Sequence, residues 1–283
     1  MKRVLITGCN GFIARNLNIL LKEYGHNVDC LSRMDLDILN GKSVFDFLSN
    51  KYYDVIIHTA IEGGRRTALD TEKMFYNNIL MIYNLLSNKK SFGKLITFGS
   101  GAELDRRFNI NSETILNERY PTDFYGMSKN LIAKLSLLEE CMHNFRIFNC
   151  FGVDEDPNRM IRHNIENNIN GTPMILYSNR VMDFFYIKDL ATLINYFMSN
   201  TKDFPKTIDC VYDTSFRLID ILEMINSISD LPVEISYKID DSLNKINSMD
   251  HEYIGKHTPL PVKYIGLKDA IREMYNTIKE GVN

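Results

Sequence analysis

Three side chains have the types and spacing for acid–base work on a carbonyl: Ser100, Tyr125 and Lys129. In Tyr125-x-x-x-Lys129 the two side chains fall one helical turn apart on one face. A lysine ammonium so placed favours tyrosinate and lowers the phenol's pKa. Tyr125 then gives a proton to a carbonyl oxygen as hydride arrives, and takes it back in the reverse direction. A serine hydroxyl at the end of a neighbouring strand holds the same oxygen, and Ser100 in KLITFGSGAE is placed to do so. The spacing alone is common, since Tyr264/Lys268 and Tyr275/Lys279 repeat it. Those two pairs lie in the polar C-terminal region with no strand-end serine upstream, and read as surface coincidence.

A second constellation opens the chain. TGCNGFIARNL follows an apolar run directly and begins a helix-period segment. Gly8 there permits a tight turn, Gly11 lets backbone approach a pyrophosphate on the helix N-terminus, and Ala14 is small enough for close helix–strand packing. The bland alternative is an ordinary turn between strand and helix. At the end of the second strand a carboxylate marks the ribose 2′-hydroxyl of NAD, whereas a small residue followed by arginine suits the 2′-phosphate of NADP. NVDCL runs into Ser32 and Arg33, so NADPH is favoured over NADH. Asp35 and Asp37 are the competing carboxylates; the expected place for Asp37 and Ile38 is a short following strand beside the adenine.

The elements that must hold these residues are legible from periodicity. VLIT, NVDCL, DVIIHTA, KLITFG and FRIFNCF read as strands, separated by helix-period segments FIARNLNILLKEY, SVFDFLSNK, KMFYNNILMIYNLLSNK and SKNLIAKLSLLEECM. That alternation predicts an α/β fold, a doubly wound Rossmann parallel sheet. After Gly152 the spacing loosens, and a smaller, discontinuous α/β region is expected to bind substrate. The boundaries read as 1–149 with 180–212 for the dinucleotide region, and 150–179 with 213–283 for the second region.

Composition narrows the function classes. A chain of 283 residues with 45% hydrophobic and 24% charged residues is ordinary globular material. A formal net charge of -3 with scattered Lys and Arg favours neither nucleic acid nor an anionic membrane surface as partner. The apolar stretch in KRVLIT is too short for a signal peptide or a spanning helix, so a cytoplasmic protein is expected. The cysteines, Cys9, Cys30, Cys141, Cys150 and Cys210, are odd in number with no CxxC, and read as reduced thiols. The histidines do not cluster, so no metal site is expected.

Taken together, TGCNGFI, DVIIHTA, FGSGAE, YGMSK, RIFNCFG and DFFYIKDLA resemble, in order and spacing, the extended short-chain dehydrogenase/reductase family that works on nucleotide sugars. SRMDLDILN, the IEGG after HTA and FYNNILMIYNLL resemble its GDP-fucose synthase-like 4-ketoreductase branch. The resemblance implies NADPH-dependent reduction at C4 of a nucleotide-linked 4-keto-(6-deoxy) sugar, GDP-linked by preference. It implies cofactor contacts from Gly8, Asn10, Gly11, Phe12, Ile13, Ser32, Arg33, Asp37, Ile38, Thr59, Ala60, Asn78, Tyr125 and Lys129. It implies substrate contacts from Ala102, Glu103, Asn149, Arg159 and Arg180, and a homodimer formed through the helix of Tyr125 and the helix FYNNILMIYNLL. Leu131, Leu135 and Leu138 supply an apolar stripe for that dimer.

Departures from the family pattern carry information too. The branch's C3/C5 epimerases use a cysteine and a histidine where this chain has Ala102 and Arg159, so reduction without epimerisation is expected. Gly101 and Ala102 replace the Asp-Glu pair of a dehydratase. Met182 replaces the arginine of the substrate segment, leaving Arg180 or Arg159 for the diphosphate. An NAD-dependent nucleotide-sugar 4-epimerase is the alternative enzyme, disfavoured by Arg33. A dinucleotide sensor that has lost catalysis is the alternative outside enzymes, disfavoured by the intact Ser100, Tyr125 and Lys129.

Overall fold

The computed structural model describes residues 1–64, 69–111, 114–201, 204–238 and 252–282. Along the chain run β1 (Arg3–Thr7), α1 (Phe12–Glu23), β2 (Asn27–Leu31), α2 (Gly41–Leu48), β3 (Tyr53–His58), α3 (Glu72–Leu86), β4 (Phe92–Ser100), α4 (Phe124–Leu138) and β5 (Met142–Ile147). There follow β6 (Cys150–Phe151), α5 (Met160–Ile169), β7 (Met174–Leu176), β8 (Val181–Met182), β9 (Phe185–Tyr186), α6 (Ile187–Ser199) and β10 (Thr207–Cys210). The chain ends with β11 (Phe216–Arg217), α7 (Leu218–Ile228), β12 (Ile235–Tyr237) and a final helix, α8 (Leu267–Val282).

Two compact units divide the chain. The first comprises Met1–Arg106, Thr114–Ile147 and Ala191–Asp209, and the second Arg107–Glu113, Phe148–Leu190 and Cys210–Asn283. This division shortens the expected 180–212 segment of the dinucleotide region. β8 pairs with β11 and β9 with β6, which draws 181–186 into the second unit.

In the first unit a six-stranded sheet runs β10-β5-β4-β3-β1-β2, and β2 through β5 pair in parallel. Leu5, Ile56, Leu95 and Met142 lie side by side across four strands, all fully buried, against Val44 and Leu48 of α2, Ile82 and Leu85 of α3 and Ile132 of α4. Apolar residues on both faces of each strand allow helices to cover both faces of such a sheet. Two registers further along, the row Thr7–His58–Thr97–Asn144 is buried but polar, which marks the carboxyl end of the sheet. Ligands of open parallel sheets bind at that end.

In the second unit, three short strand pairs, β6 with β9, β8 with β11 and β7 with β12, accompany α5, α7 and α8, which pack on one another. Buried Asp189 accepts hydrogen bonds from Tyr212 and from the backbone N–H groups of Ile265 and Gly266. Tyr275, expected at the surface, is buried and donates to Asn168, and Tyr264 packs on Phe185.

Candidate active site

Gly8 leaves β1 with φ +77°, a conformation glycine adopts without penalty, and a Cβ there would lie 2.8 Å from the Ala60 nitrogen and 2.9 Å from Thr59 Oγ1. Thr59 Oγ1 donates to the Thr7 carbonyl at 2.6 Å, locking the ends of β1 and β3 together. Gly11 N–H donates to Gly8 O at 2.9 Å and caps α1 with no side-chain acceptor. A Cβ on Gly11 would meet only Gly8 O, at 3.3 Å. The first turn of α1 carries no acidic residue, so its backbone N–H groups keep their partial positive charge for an anion. That cradle fits a dinucleotide pyrophosphate, with exposed Asn10 and half-buried Phe12 and Ile13 beside it.

The end of β2 differs from expectation in detail. Ser32 donates through both N–H and Oγ to Asp35, at 2.9 and 2.6 Å, and these bonds hold the Asp35 carboxyl below its ordinary range. Arg33 is exposed and lies near Asp37 at 3.5 Å and Glu62 at 3.8 Å, two loose pairs that a phosphate can displace. Residues 33–35 and 38–39 form turns, and no strand lies between β2 and α2. Ile38 packs in the core with Leu36, and its carbonyl accepts from Asn84. Cys9 and Cys30 are joined as a disulfide with Cα atoms 5.4 Å apart, which corrects the reading of all five cysteines as free thiols. Parallel pairing sets Ile6 beside Cys30, and Cys9 N–H donates to Leu31 O, so register brings these two distant positions together.

Ser100 ends β4, and its Oγ accepts from Ala102 N–H at 3.1 Å, which leaves the hydroxyl hydrogen free to donate. Asp123 caps α4 by accepting from Gly126 N–H at 2.7 Å, which fixes the turn carrying Tyr125. Lys129 is buried, donates to the Phe98 carbonyl at 2.6 Å, and lies 5.6 Å from the centre of the Tyr125 ring. Burial pushes the Lys129 ammonium down to about 8, opposed by the charge of Glu103. His58 is held down to about 3 by burial and by Lys129, so it stays neutral and shares a 2.9 Å hydrogen bond with Thr7.

Asn78 is buried and clamps the loop after β3: its Oδ1 accepts from Glu62 N–H, and its Nδ2 donates to Glu62 O and to Ser128 Oγ. That loop carries a residue whose role spacing does not reveal. Gly64 has φ +73°, its N–H donates to Asp70 at 2.8 Å, and a Cβ on it would lie 2.7 Å from Cε2 of Tyr125. Bare backbone therefore packs on the phenol ring.

The expected substrate residues divide between the units. Ala102 is buried, and Glu103 has no exposed surface, its carboxylate engaged by Arg146, Asn144 and Ser100 N–H. The expectation that Glu103 contacts substrate is corrected accordingly. In the second unit Asn149 donates to the Asp183 carbonyl at 2.9 Å, Arg159 precedes α5 and pairs loosely with Glu155 at 3.7 Å, and Arg180 O accepts from Leu218 N–H.

A family model described as NAD dependent epimerase/dehydratase family matches residues 4–210. GDP-L-colitose synthase of Yersinia pseudotuberculosis is 23% identical over 251 residues, covering 80% of this chain and 82% of that protein. Among solved structures, a GDP-mannoheptose C4 reductase from Campylobacter jejuni with NADP bound superposes with a TM-score of 0.76 at 19% identity, covering 98% of each chain. A GDP-L-fucose synthetase from Naegleria fowleri bound to NADP gives 0.73 at 15% identity, covering 99% of this chain and 93% of that one.

Proposed function

The chain belongs to the NAD dependent epimerase/dehydratase family, and from that membership we propose that it is an oxidoreductase that uses NADPH to reduce the C4 carbonyl of a nucleotide-linked 4-keto sugar. The observation that carries this reading is the meeting of Lys129, Tyr125 and the Ser100 turn at the carboxyl end of a sheet that opens with an uncapped glycine turn. The named relatives act on GDP-linked sugars, which makes a GDP-linked substrate the first choice.

NADPH, when bound, would supply the hydride for the carbonyl carbon. Tyr125 gives its phenolic proton to the carbonyl oxygen, so the product is an alcohol. Ser100 donates its free O–H to the same oxygen, and buried Lys129 stabilises negative charge on the phenolate. Gly8, Gly11 and the start of α1 would hold the pyrophosphate, and Arg33 the 2′-phosphate. Arg159 and Arg180 are assigned to the substrate diphosphate and Asn149 to the sugar nucleotide. Ala102 has no proton to exchange, so C3 and C5 keep their configuration.

The experiment is to offer NADPH or NADH with GDP-, CDP-, dTDP- and UDP-linked 4-keto sugars in heavy water. Loss of reduced nicotinamide is expected with NADPH and a GDP-linked sugar, with no deuterium at C3 or C5 of the product. Absence of turnover with every sugar, or tight retention of NAD through gel filtration with interconversion of C4 epimers, overturns the reading.

A further inference from the structure

Glu103 is a carboxylate with no exposed surface, three residues past Ser100. Arg146 Nε donates to Oε1 at 2.6 Å, Asn144 Nδ2 donates to both oxygens at 3.2 and 3.3 Å, and Ser100 N–H donates to Oε2 at 3.3 Å. Arg146 reaches on to Asp209 at 2.7 Å, which satisfies the guanidinium from a second side. Asn130 of α4 donates to the Glu103 carbonyl at 2.8 Å, so one residue ties the strand end to the helix that carries Tyr125 and Lys129. The space is reserved for it, because a Cβ on Gly99 would collide with Glu103 Oε2 and the Asn144 amide.

Burying a carboxylate and a guanidinium strips both of water, and such a pair seldom outperforms well-packed apolar residues as a source of stability. Stability is therefore a weak account of its position. We propose that Glu103 is a positioning residue for the reaction: clamped by Arg146 and Asn144, its carboxylate sets the turn that presents Ser100 and stands as the fixed anion behind Ser100, Tyr125 and Lys129. This rests on the ketoreductase reading above.

The field of that anion has a definite sign. Burial pushes Lys129 down to about 8, and Glu103 acts against the shift. His58 from β3 and Tyr125 from the same helix also face Lys129, while Arg146 from β5 and Asp209 from β10 face Glu103 or its partner. Removing a negative charge from this group makes Lys129 lose its proton at lower pH.

The test uses Glu103→Gln and Glu103→Asp with two readouts. One is the Lys129 titration in ¹⁵N-lysine-labelled protein, its signal assigned with Lys129→Met. The other is kcat against pH with NADPH and the 4-keto sugar turned over by the wild type. Glu103→Gln is expected to move the Lys129 midpoint and the alkaline limb of kcat to lower pH together. Its kcat at neutral pH falls about tenfold, with NADPH affinity held within about twofold. Glu103→Asp keeps the charge but retracts it from Ser100 N–H, so the midpoint stays and kcat falls. An unmoved Lys129 midpoint in Glu103→Gln overturns the proposal, because a merely structural carboxylate leaves it where it is. Where Glu103→Gln does not fold, a wild-type kcat in Glu103→Asp overturns it. Failure of the ketoreductase reading is distinct: none of the 4-keto sugars then supports oxidation of NADPH by the wild type, while the Lys129 titration still reports on Glu103.

Discussion

Replacing Tyr125 by Phe keeps the ring that packs against Gly64 and removes only the hydroxyl. Turnover is expected to fall by about 10²- to 10⁴-fold, the range of a lost proton transfer, while NADPH binding followed by nicotinamide fluorescence stays unchanged. Retained turnover with lost binding would contradict the role of Tyr125 as proton donor. His58 does not replace it as acid, since burial and Lys129 hold the imidazole neutral. Ser100, Tyr125 and Lys129 were legible in the sequence because helix pitch and a strand end are local facts. Glu103 was read as a substrate contact because its partners, Arg146 and Asn144, lie on β5, and no spacing along the chain shows which strand will adjoin β4. Gly64 escaped for the same reason, since only the folded loop brings it onto Tyr125.

That loop makes an expectation for whole elements. Held by Asn78 at Glu62 and by Asp70 at Gly64, it presses backbone on the Tyr125 ring with φ +73° at Gly64. In Gly64→Ala the left-handed conformation costs about 1–2 kcal/mol, and the new methyl group must displace either the loop or the ring. Urea unfolding is expected to show that loss, and kcat to fall at least about tenfold, as a misplaced reacting group does. A destabilised variant with unchanged kcat would show that the loop does not hold the ring. The strands VLIT, DVIIHTA and KLITFG were legible because buried parallel strands are continuous apolar runs. FRIFNCF was not read correctly: it breaks at Phe148–Asn149, where the chain passes from the first unit to the second. β10 was missed altogether, being four residues long with Asp209 inside it to meet Arg146.

For the molecule as a whole, the dependence of stability on pH follows from burial. Glu155 is buried, one carboxylate oxygen has no hydrogen-bond partner, and desolvation pushes the group from 4.5 up to about 8 against the pull of Arg159 and Arg162. A carboxyl whose folded value is raised contributes its stability in full below the unfolded value and loses it as pH rises toward the folded one. Glu155→Gln, neutral at every pH, should therefore gain on the wild type between pH 5 and pH 8, by on the order of 3 kcal/mol in urea unfolding. An equal difference at both pH values would mean that Glu155 ionises freely.

The expected homodimer would form on α3 and α4, which pack side by side in the first unit. α3 leaves Tyr76, Leu80 and Tyr83 exposed, and α4 leaves Met127, Leu131 and Leu138 exposed, each set at helical spacing. Leu135, expected in that stripe, packs on the core beneath it. Exposed apolar rows of this kind suit a partner surface, and a two-fold axis beside two helices would bring each residue near its own copy in a four-helix arrangement. Like charges introduced there repel their symmetry mates. Sedimentation is expected to give twice 32.9 kDa for the wild type and 32.9 kDa for Tyr83→Glu/Leu131→Glu. A wild type that sediments as a monomer at micromolar concentration would leave this face without its expected partner and refute the homodimer.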